Sequence, residues 1–224
     1  PCDELTDLLA RKALATAQPS IADLTAQLAD LYAIEPGAIS TFDADEGSTG
    51  PITLNWEANN RRYRLDVSRT NLETTVFWVG YDGYQPTISE VIECIGTPTG
   101  YTASLGPGSG ESGTYLSLML FFPMQGAIVM SDTWGLPKPD SKTILHDLTL
   151  NVADLKVSGF SFTEPKTTPL ELLDTYLTIG LELKPGEEDA AQFEWHRRQV
   201  TTWPDDGKSF QYTTEPFPLS LYGP

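Results

Sequence analysis

Residues 52–67 read ITLNWEANNRRYRLDV, and this stretch decides the fold. On each side of Asn59-Asn60, hydrophobic side chains occupy every second position, which is the period of a β-strand with one buried face. Asparagine tolerates the positive φ angles that a two-residue type I′ turn requires. The stretch therefore predicts a tight β-hairpin with one apolar face and one polar face.

Counting outward from the predicted turn gives the register of the hairpin. The apolar cross-strand pairs are Trp56–Tyr63, Leu54–Leu65 and Ile52–Val67. On the other face Glu57 lies opposite Arg62, which is a favourable pair of opposite charges. A shift by one residue would move every apolar side chain to the polar face, so the register is strongly specified. A third strand, Thr74 to Val79, is expected to extend the sheet.

Helices are predicted before each group of strands. Ser20 caps a helix whose apolar side chains recur at three- and four-residue steps, and Pro36-Gly37 terminates it. Thr87 and Glu90 have capping-box spacing at the start of a second helix, which ends at Gly96-Thr97-Pro98. A helix of weaker amphipathicity is expected over residues 1–18.

Strands follow the second helix as they follow the first. They are predicted for Tyr101–Ser104, Tyr115–Phe122, Ala127–Ser131 and Lys156–Thr163, with a hairpin around Pro123-Met124-Gln125-Gly126. The order of helix, loop, hairpin and further strand thus occurs near residues 20–80 and again near 87–163. We interpret this repetition as an internal duplication.

The rest of the chain is expected to pack on these units. Thr168-Pro169-Leu170-Glu171 combines a capping box with proline at the first helical position, which predicts a short helix. Beyond it, aromatic residues are scattered among prolines, which favours extended chain. The predicted fold class is α+β, with two helix-on-antiparallel-sheet units and an extended C-terminal wrap. The predicted parts are an N-terminal helix (1–19), a first unit (20–84), a second unit (85–165) and a C-terminal helix and tail (166–224).

Composition argues against several classes of function. The chain has 224 residues and a formal charge of −17, so no nucleic acid is expected as a partner, because phosphate binding needs a positive field. No apolar run approaches the ~20 residues that span a bilayer. Hydrophobic residues make up 40% of the chain, too many for a disordered protein. No catalytic signature, cofactor motif or metal-ligand spacing is found, and we predict that the protein is not an enzyme.

The only cysteines, Cys2 and Cys94, bear on the compartment. Residue 1 is Pro rather than Met, so we expect the natural N-terminus to have been removed. Three interpretations of Cys2 are open: a disulfide with Cys94, the lipid-bearing first residue of a bacterial lipoprotein, or a plain thiol. A cysteine beside a trimmed terminus and an acidic surface favour an extracytoplasmic protein, either secreted or anchored through a lipid.

The second unit resembles the bacterial domains grouped around β-lactamase inhibitory protein and the small outer-membrane assembly lipoproteins. The matching residues are Val91, Ile95, Gly96 and Pro98 at the helix end, and Tyr115–Phe122 with Gly126–Met130 in the hairpin. In those domains a helix ends at a Gly-x-Pro turn and packs on an antiparallel sheet. The resemblance implies an envelope protein that binds other proteins, and it implies no catalytic residues. The first unit has Glu35-Pro36-Gly37 in place of that turn.

Three further patterns have simpler structural interpretations. His146 and His196 lie in no protease-like context, so surface or packing roles are expected. The glycine-rich loop 106–113 lacks a Gly-Lys-[Ser/Thr] ending and precedes a strand, which argues against a phosphate site. Asp43-x-Asp45-x-Gly47 is similar to the start of a calcium loop, but the twelfth position is Leu54 rather than glutamate, which excludes an EF-hand.

A basic patch on the first hairpin is one candidate partner surface. Arg62 and Arg64 share the polar face of their strand, on a protein that is otherwise acidic. The patch would suit an acidic partner or a head group. The alternative is internal compensation by Glu57, Asp66 and other carboxylates.

The second hairpin is the other candidate partner surface. Tyr115, Met119 and Phe121 alternate with leucines, so both faces of the strand are apolar. The helix at 88–95 explains one face. The other face must be covered by the C-terminal tail, by the first unit or by a partner.

Two hypotheses about function follow. The first is a non-enzymatic extracytoplasmic binding or structural protein that contacts another protein or an envelope component. The alternative is an acidic-cleft hydrolase or a small-ligand carrier, with its pocket between the units. Convergent carboxylates with shifted pKa values in a cleft would favour the alternative, whereas a shallow concave surface without them favours binding.

Overall fold

In a computed structural model of the protein, the structure describes residue 2 and residues 20–42, 52–67, 75–81, 85–107, 114–136, 152–180 and 190–207. The fold is α+β, as predicted, and its described strands form one antiparallel sheet. Apart from Cys2, the predicted N-terminal helix lies outside the described residues, and so does the chain after residue 207.

The first unit consists of a helix followed by four strands. In chain order these are α1 (Ile21–Tyr32), a 3-10 helix (Pro36–Ala38), β1 (Ser40–Phe42), β2 (Ile52–Ala58), β3 (Arg61–Val67) and β4 (Thr75–Tyr81). The Ser20 hydroxyl accepts a hydrogen bond from the Asp23 N–H at 3.1 Å, which caps α1 as predicted. The helix ends before the expected proline, because Ala33 adopts a left-handed conformation with φ of 52°.

The second unit repeats this order. It contains α2 (Ile88–Ile95), β5 (Gly100–Pro107), β6 (Thr114–Phe122), a 3-10 helix (Pro123–Gln125), β7 (Ala127–Leu136), a 3-10 helix (Val152–Asp154) and β8 (Gly159–Phe162). The predicted capping box of Thr87 and Glu90 is formed at the start of α2. The strand predicted for 156–163 is shorter than expected, since Lys156 makes only an isolated bridge to Thr87.

The strand order shows how the two units join. The sheet runs β1-β2-β3-β4-β8-β7-β6-β5-β9, so each unit contributes four strands that pair in chain order. The units meet where β4 pairs with β8 in antiparallel fashion, from Phe77 opposite Phe162 to Gly80 opposite Gly159. The shared order of helix and strands is what the predicted duplication requires.

The hairpin of β2 and β3 has the predicted register. Trp56 pairs with Tyr63, and Glu57 pairs with Arg62. The turn residues Asn59 and Asn60 have φ angles of 53° and 60°, as a type I′ turn requires. The rings of Trp56 and Tyr63 stack with their centroids 5.3 Å apart, so these two residues are confirmed as cross-strand neighbours. β4 extends this sheet along β3, which confirms the third strand.

Helices α1 and α2 cover the first face of the sheet. Tyr32, at the end of α1, places its ring 5.3 Å from that of Trp56 and 4.6 Å from that of Tyr63. In the second unit Ile88 and Val91 of α2 join the same buried cluster as the leucines of β6. The main core therefore lies between the two unit helices and one face of the sheet.

The C-terminal helices cover the second face over the second unit. They are α3 (Pro169–Thr175), a π-helix (Tyr176–Gly180) and α4 (Ala190–Arg198), and the short strand β9 (Thr201–Thr202) then pairs with β5. Leu172, Leu173, Leu177 and Phe193 from these helices pack against Phe121, Ile128 and Met130 of the sheet. The second apolar face of the β6–β7 hairpin is thus covered from within the chain.

One prediction about the tail is wrong in part. Residues 190–198 form a helix, whereas the scattered aromatic residues predicted an extended wrap. The helix buries only Gln192, Phe193 and Trp195, a stripe too short to show a helical period in the sequence. Burial against α3 and the sheet stabilises it instead, which is the usual source of helix stability in proteins.

A disulfide joins Cys2 to Cys94, the first of the three interpretations given above. The Cα atoms are 4.9 Å apart, and the residues are 92 positions apart in the sequence. Cys94 lies in the last turn of α2, and Cys2 is exposed. The bond ties the beginning of the described chain to the end of the second unit's helix.

We expect Trp56→Ala to lower the free energy of unfolding by about 3–5 kcal/mol, because it removes a buried ring from the cluster with Tyr32 and Tyr63. Phe42→Ala is the matched control, since Phe42 is 65% exposed; its effect should stay within about 0.5 kcal/mol. Urea unfolding of the two variants measures both values. Equal effects would contradict the position of Trp56 in the core.

Reduction of the disulfide should lower the free energy of unfolding by about 4–5 kcal/mol, because the unfolded chain then regains the entropy of a long loop. Thermal unfolding with and without dithiothreitol gives the measurement. A protein carrying both Cys2→Ser and Cys94→Ser is the control, and its melting temperature should not respond to the reductant. An unchanged melting temperature of the native protein on reduction would refute a stabilising role.

Candidate functional site

On β2 and β3 the second face of the sheet is polar. Thr53, Asn55 and Glu57 of β2 alternate with the buried Leu54 and Trp56. Arg62, Arg64 and Asp66 of β3 lie opposite them in the register. Because successive side chains of a strand point to opposite faces, these six residues share one face. The polar face is the first feature of the candidate site.

An open recess lies at the outer edge of β2. It has a volume of about 490 Å³ and is lined by Ala38, Ser40, Asn55, Trp56, Glu57, Arg62, Tyr63 and Arg64. We call it the β2-edge recess. The short strand β1 pairs only with residues 53–55 of β2, and the 3-10 helix at 36–38 precedes it. The remaining part of β2 therefore has no strand on its outer side among the described residues.

A buried carboxylate holds Arg64 in place. Asp66 is 2% exposed, and its Oδ1 accepts hydrogen bonds from the Thr53 hydroxyl at 2.7 Å and from Arg64 Nε at 2.8 Å. Burial raises the pKa of Asp66, while the hydrogen bonds from Arg64 and Thr53 and the charge of Arg64 oppose that rise. Arg64 itself is 40% exposed at its side chain. Its guanidinium is thus anchored from the inside and reaches the surface.

Asn55 lies directly opposite Arg64 on the neighbouring strand. Its backbone carbonyl accepts a hydrogen bond from the Ser40 hydroxyl at 3.2 Å, which helps to hold β1 against β2. The side-chain amide of Asn55 makes no hydrogen bond with any residue that the structure describes. The recess therefore places an amide and a guanidinium side by side.

The charges on this face are largely balanced. Arg64 pairs with Asp66, and Glu57 lies opposite Arg62. Internal compensation of the basic patch is thus observed for Arg64. Within the lining of the recess, however, Glu57 is the single carboxylate beside two arginines. With Asp66 counted, two arginines stand beside two carboxylates, so the recess has no net charge on a chain with a formal charge of −17.

The second candidate surface is not available to a partner in this structure. Phe121 is 0% exposed, and Met119 packs against the cluster that the C-terminal helices cover. This corrects the proposal of Phe121 as part of a partner surface, because the C-terminal helices bury it, whereas Met119 is partly buried beside it. The side chain of Tyr115 lies outside the described residues. Arg62 and Arg64 lie together on β3 of the first unit, a strand that the C-terminal π-helix also contacts.

Sequence reasoning missed three of the polar residues that line the recess: Ser40, Asn55 and Glu57. The register could have identified Asn55, since the count that pairs Trp56 with Tyr63 also places Asn55 opposite Arg64. Glu57 was assigned only as a charge partner of Arg62. Nothing in the sequence indicated Ser40, because its position depends on where β1 docks.

His196 is a packing residue of α4. Its ring lies 5.0 Å from that of Trp195 in an edge arrangement, and burial lowers its pKa to about 4. His146 and the Asp43-x-Asp45-x-Gly47 motif lie outside the described residues, and residues 106 and 107 of the glycine-rich loop belong to β5. In the described part of the chain, no group of three or more His, Cys, Asp or Glu residues is arranged to hold a metal ion.

We expect His196 to make the fold less stable in acid. The folded chain keeps it neutral down to a pH of about 4, whereas the unfolded chain protonates it near 6.5. The unfolded state thus takes up a proton in this window, and stability falls by up to about 3 kcal/mol as the pH drops through it. His196→Gln should lose this part of the pH dependence. Urea unfolding at pH 7 and pH 4 measures it; identical pH dependence in both proteins would contradict the burial of this group.

No described helix is both long enough and apolar enough to cross a membrane. Comparisons with family models, with curated proteins and with solved structures find no match to this chain.

Proposed function

We propose that the protein is a non-enzymatic binding protein that acts outside the cytoplasm and contacts another protein or a component of the cell envelope. The observation that carries this proposal is the β2-edge recess. It is open, it lies at a sheet edge, and no residue of the C-terminal helices lines it. A surface of this kind suits contact with a macromolecule better than enclosure of a small substrate.

The chemistry of the recess favours binding over the alternative of an acidic-cleft hydrolase. Hydrolysis by carboxylates uses a pair of them, one as acid and one as base or nucleophile. Among the residues that line the recess, Glu57 is the only carboxylate. Asp66 does not line the recess, and its Oδ1 already accepts hydrogen bonds from Thr53 and Arg64. The polar groups of the recess are mainly hydrogen-bond donors, which suits recognition.

Two features support an extracytoplasmic location. The disulfide between Cys2 and Cys94 is a type of bond that persists in oxidising compartments and is rare in the cytosol. In addition, both units have a helix packed on a four-stranded antiparallel sheet, which is the arrangement that the resemblance to the envelope binding domains implies. That resemblance also motivates the proposal of a protein partner.

Site-specific photo-crosslinking in the source cells tests the proposal. A benzophenone amino acid in place of Glu57, on the lining of the recess, should give a discrete adduct with another protein. The same amino acid in place of Asp205 is the control, since Asp205 is exposed in the turn that follows β9. No adduct from position 57, or the same adducts from both positions, would contradict binding at the recess.

A further inference from the structure

We infer that Asn55 and Arg64 bind the carboxylate of a glutamate or aspartate side chain on a protein partner. This inference rests on the proposed binding function and specifies what the β2-edge recess recognises. Both residues line the recess, and they are direct partners in the β2–β3 register. Side chains opposite each other on one face of a sheet have Cβ atoms about 5 Å apart, close enough to hold one ligand together.

The donors of this pair are available. Arg64 uses Nε for its contact with Asp66, and its two Nη groups make no hydrogen bond with the residues that the structure describes. The Asn55 amide likewise has no such partner. A guanidinium presents its Nη groups as a planar fork that matches a carboxylate, and an amide nitrogen supplies a further donor. Together they offer more donors than one carboxylate needs.

The position of Arg64 is set before a ligand arrives. Asp66 is buried and also accepts a bond from Thr53, so it cannot follow the arginine out into solvent. A long side chain that is already ordered loses less entropy on binding than a free one. The buried carboxylate therefore acts as a positioning residue, and Arg64 and Asn55 are the residues that contact the ligand.

The surrounding charges favour a ligand with a single negative charge. Glu57 shares the lining with Arg62 and Arg64, and the chain as a whole carries −17. A phosphate group with two charges would meet more repulsion than a carboxylate with one. The recess is open at the sheet edge, so a free small acid would bury little surface there. A carboxylate presented by a protein chain carries a single negative charge, and the chain buries further surface by contacts along the edge of β2.

The test uses two short peptides that differ only in charge. They are acetyl-Thr-Glu-Thr-amide and acetyl-Thr-Gln-Thr-amide, titrated into the full, disulfide-bonded chain. Nitrogen-edited NMR follows the Asn55 side-chain amide and Arg64 Nε–H signals. We expect saturable shifts of both signals with the glutamate peptide and at least about tenfold weaker binding of the glutamine peptide, because a charged hydrogen-bond partner is lost.

Each of three variants lowers the net charge of the chain by one. Comparing them separates contact with the ligand from long-range electrostatics. Asn55→Asp removes the amide donor and places a carboxylate that repels the ligand and engages the Nη groups of Arg64, so it should weaken binding at least about tenfold. Arg64→Gln should weaken binding to the same extent. If Arg64→Gln does not fold, Asn55→Asp still tests the inference. Arg198→Gln, on the exposed end of α4, should change the affinity less than about twofold.

Other results would overturn the inference. Equal affinity for the two peptides, or no shift with either, would show that the pair does not recognise a carboxylate. Sodium acetate that binds as tightly as the glutamate peptide would point to a small acid rather than a protein segment. The crosslink from position 57 separates this failure from failure of the proposed function: an adduct whose yield is unaffected by Asn55→Asp leaves the binding function standing and removes the carboxylate site.

Discussion

The pairing of β8 with both β4 and β7 is the constraint on which the rest of the structure depends. β8 has four residues, and it is the strand through which the two units share one sheet. Phe160 and Phe162 are almost fully buried on its first face and stack on each other with centroids 5.7 Å apart. Without β8, each unit would expose the edge of β4 or of β7, and such edges invite aggregation. The central strand therefore converts two similar units into a continuous sheet with short strands at both ends.

The two faces of that sheet are covered unequally, and the candidate site results from this inequality. The unit helices α1 and α2 cover the first face in both halves. The C-terminal helices have no counterpart in the first unit among the described residues. They cover the second face over the second unit, and their π-helix also reaches β3 and β4 of the first unit. The side-chain patterns of the strands match this difference in cover. β6 is apolar on both faces, whereas β2 and β3 are polar on their second face. Two units with the same order of helix and strands therefore differ in how their second faces are covered.

Much of the fold could be predicted from residues close together in the chain. The alternation around Asn59-Asn60 predicted the register of β2 and β3, including Glu57 opposite Arg62. Capping residues predicted the starts of α1, α2 and α3. The candidate site was predicted only in part, since Arg62 and Arg64 were identified but the recess was not. The recess forms only because β1 and the preceding 3-10 helix dock beside β2. No local sequence pattern predicts that contact. Helix α4 was missed for the same reason, because its burial comes from α3 and the sheet.

By itself, the sequence determined which residues of each strand lie together on a face, because turn geometry and a period of two act within a few residues. It also determined that the second hairpin needs cover on both faces. Only the tertiary structure decided what supplies that cover, and it assigned α3 and α4 to Phe121 and Met119 rather than a partner. It likewise decided that Asp66 is buried beneath Arg64. These outcomes depend on segments far apart in the chain, whose docking is set by the total apolar surface buried rather than by any local pattern.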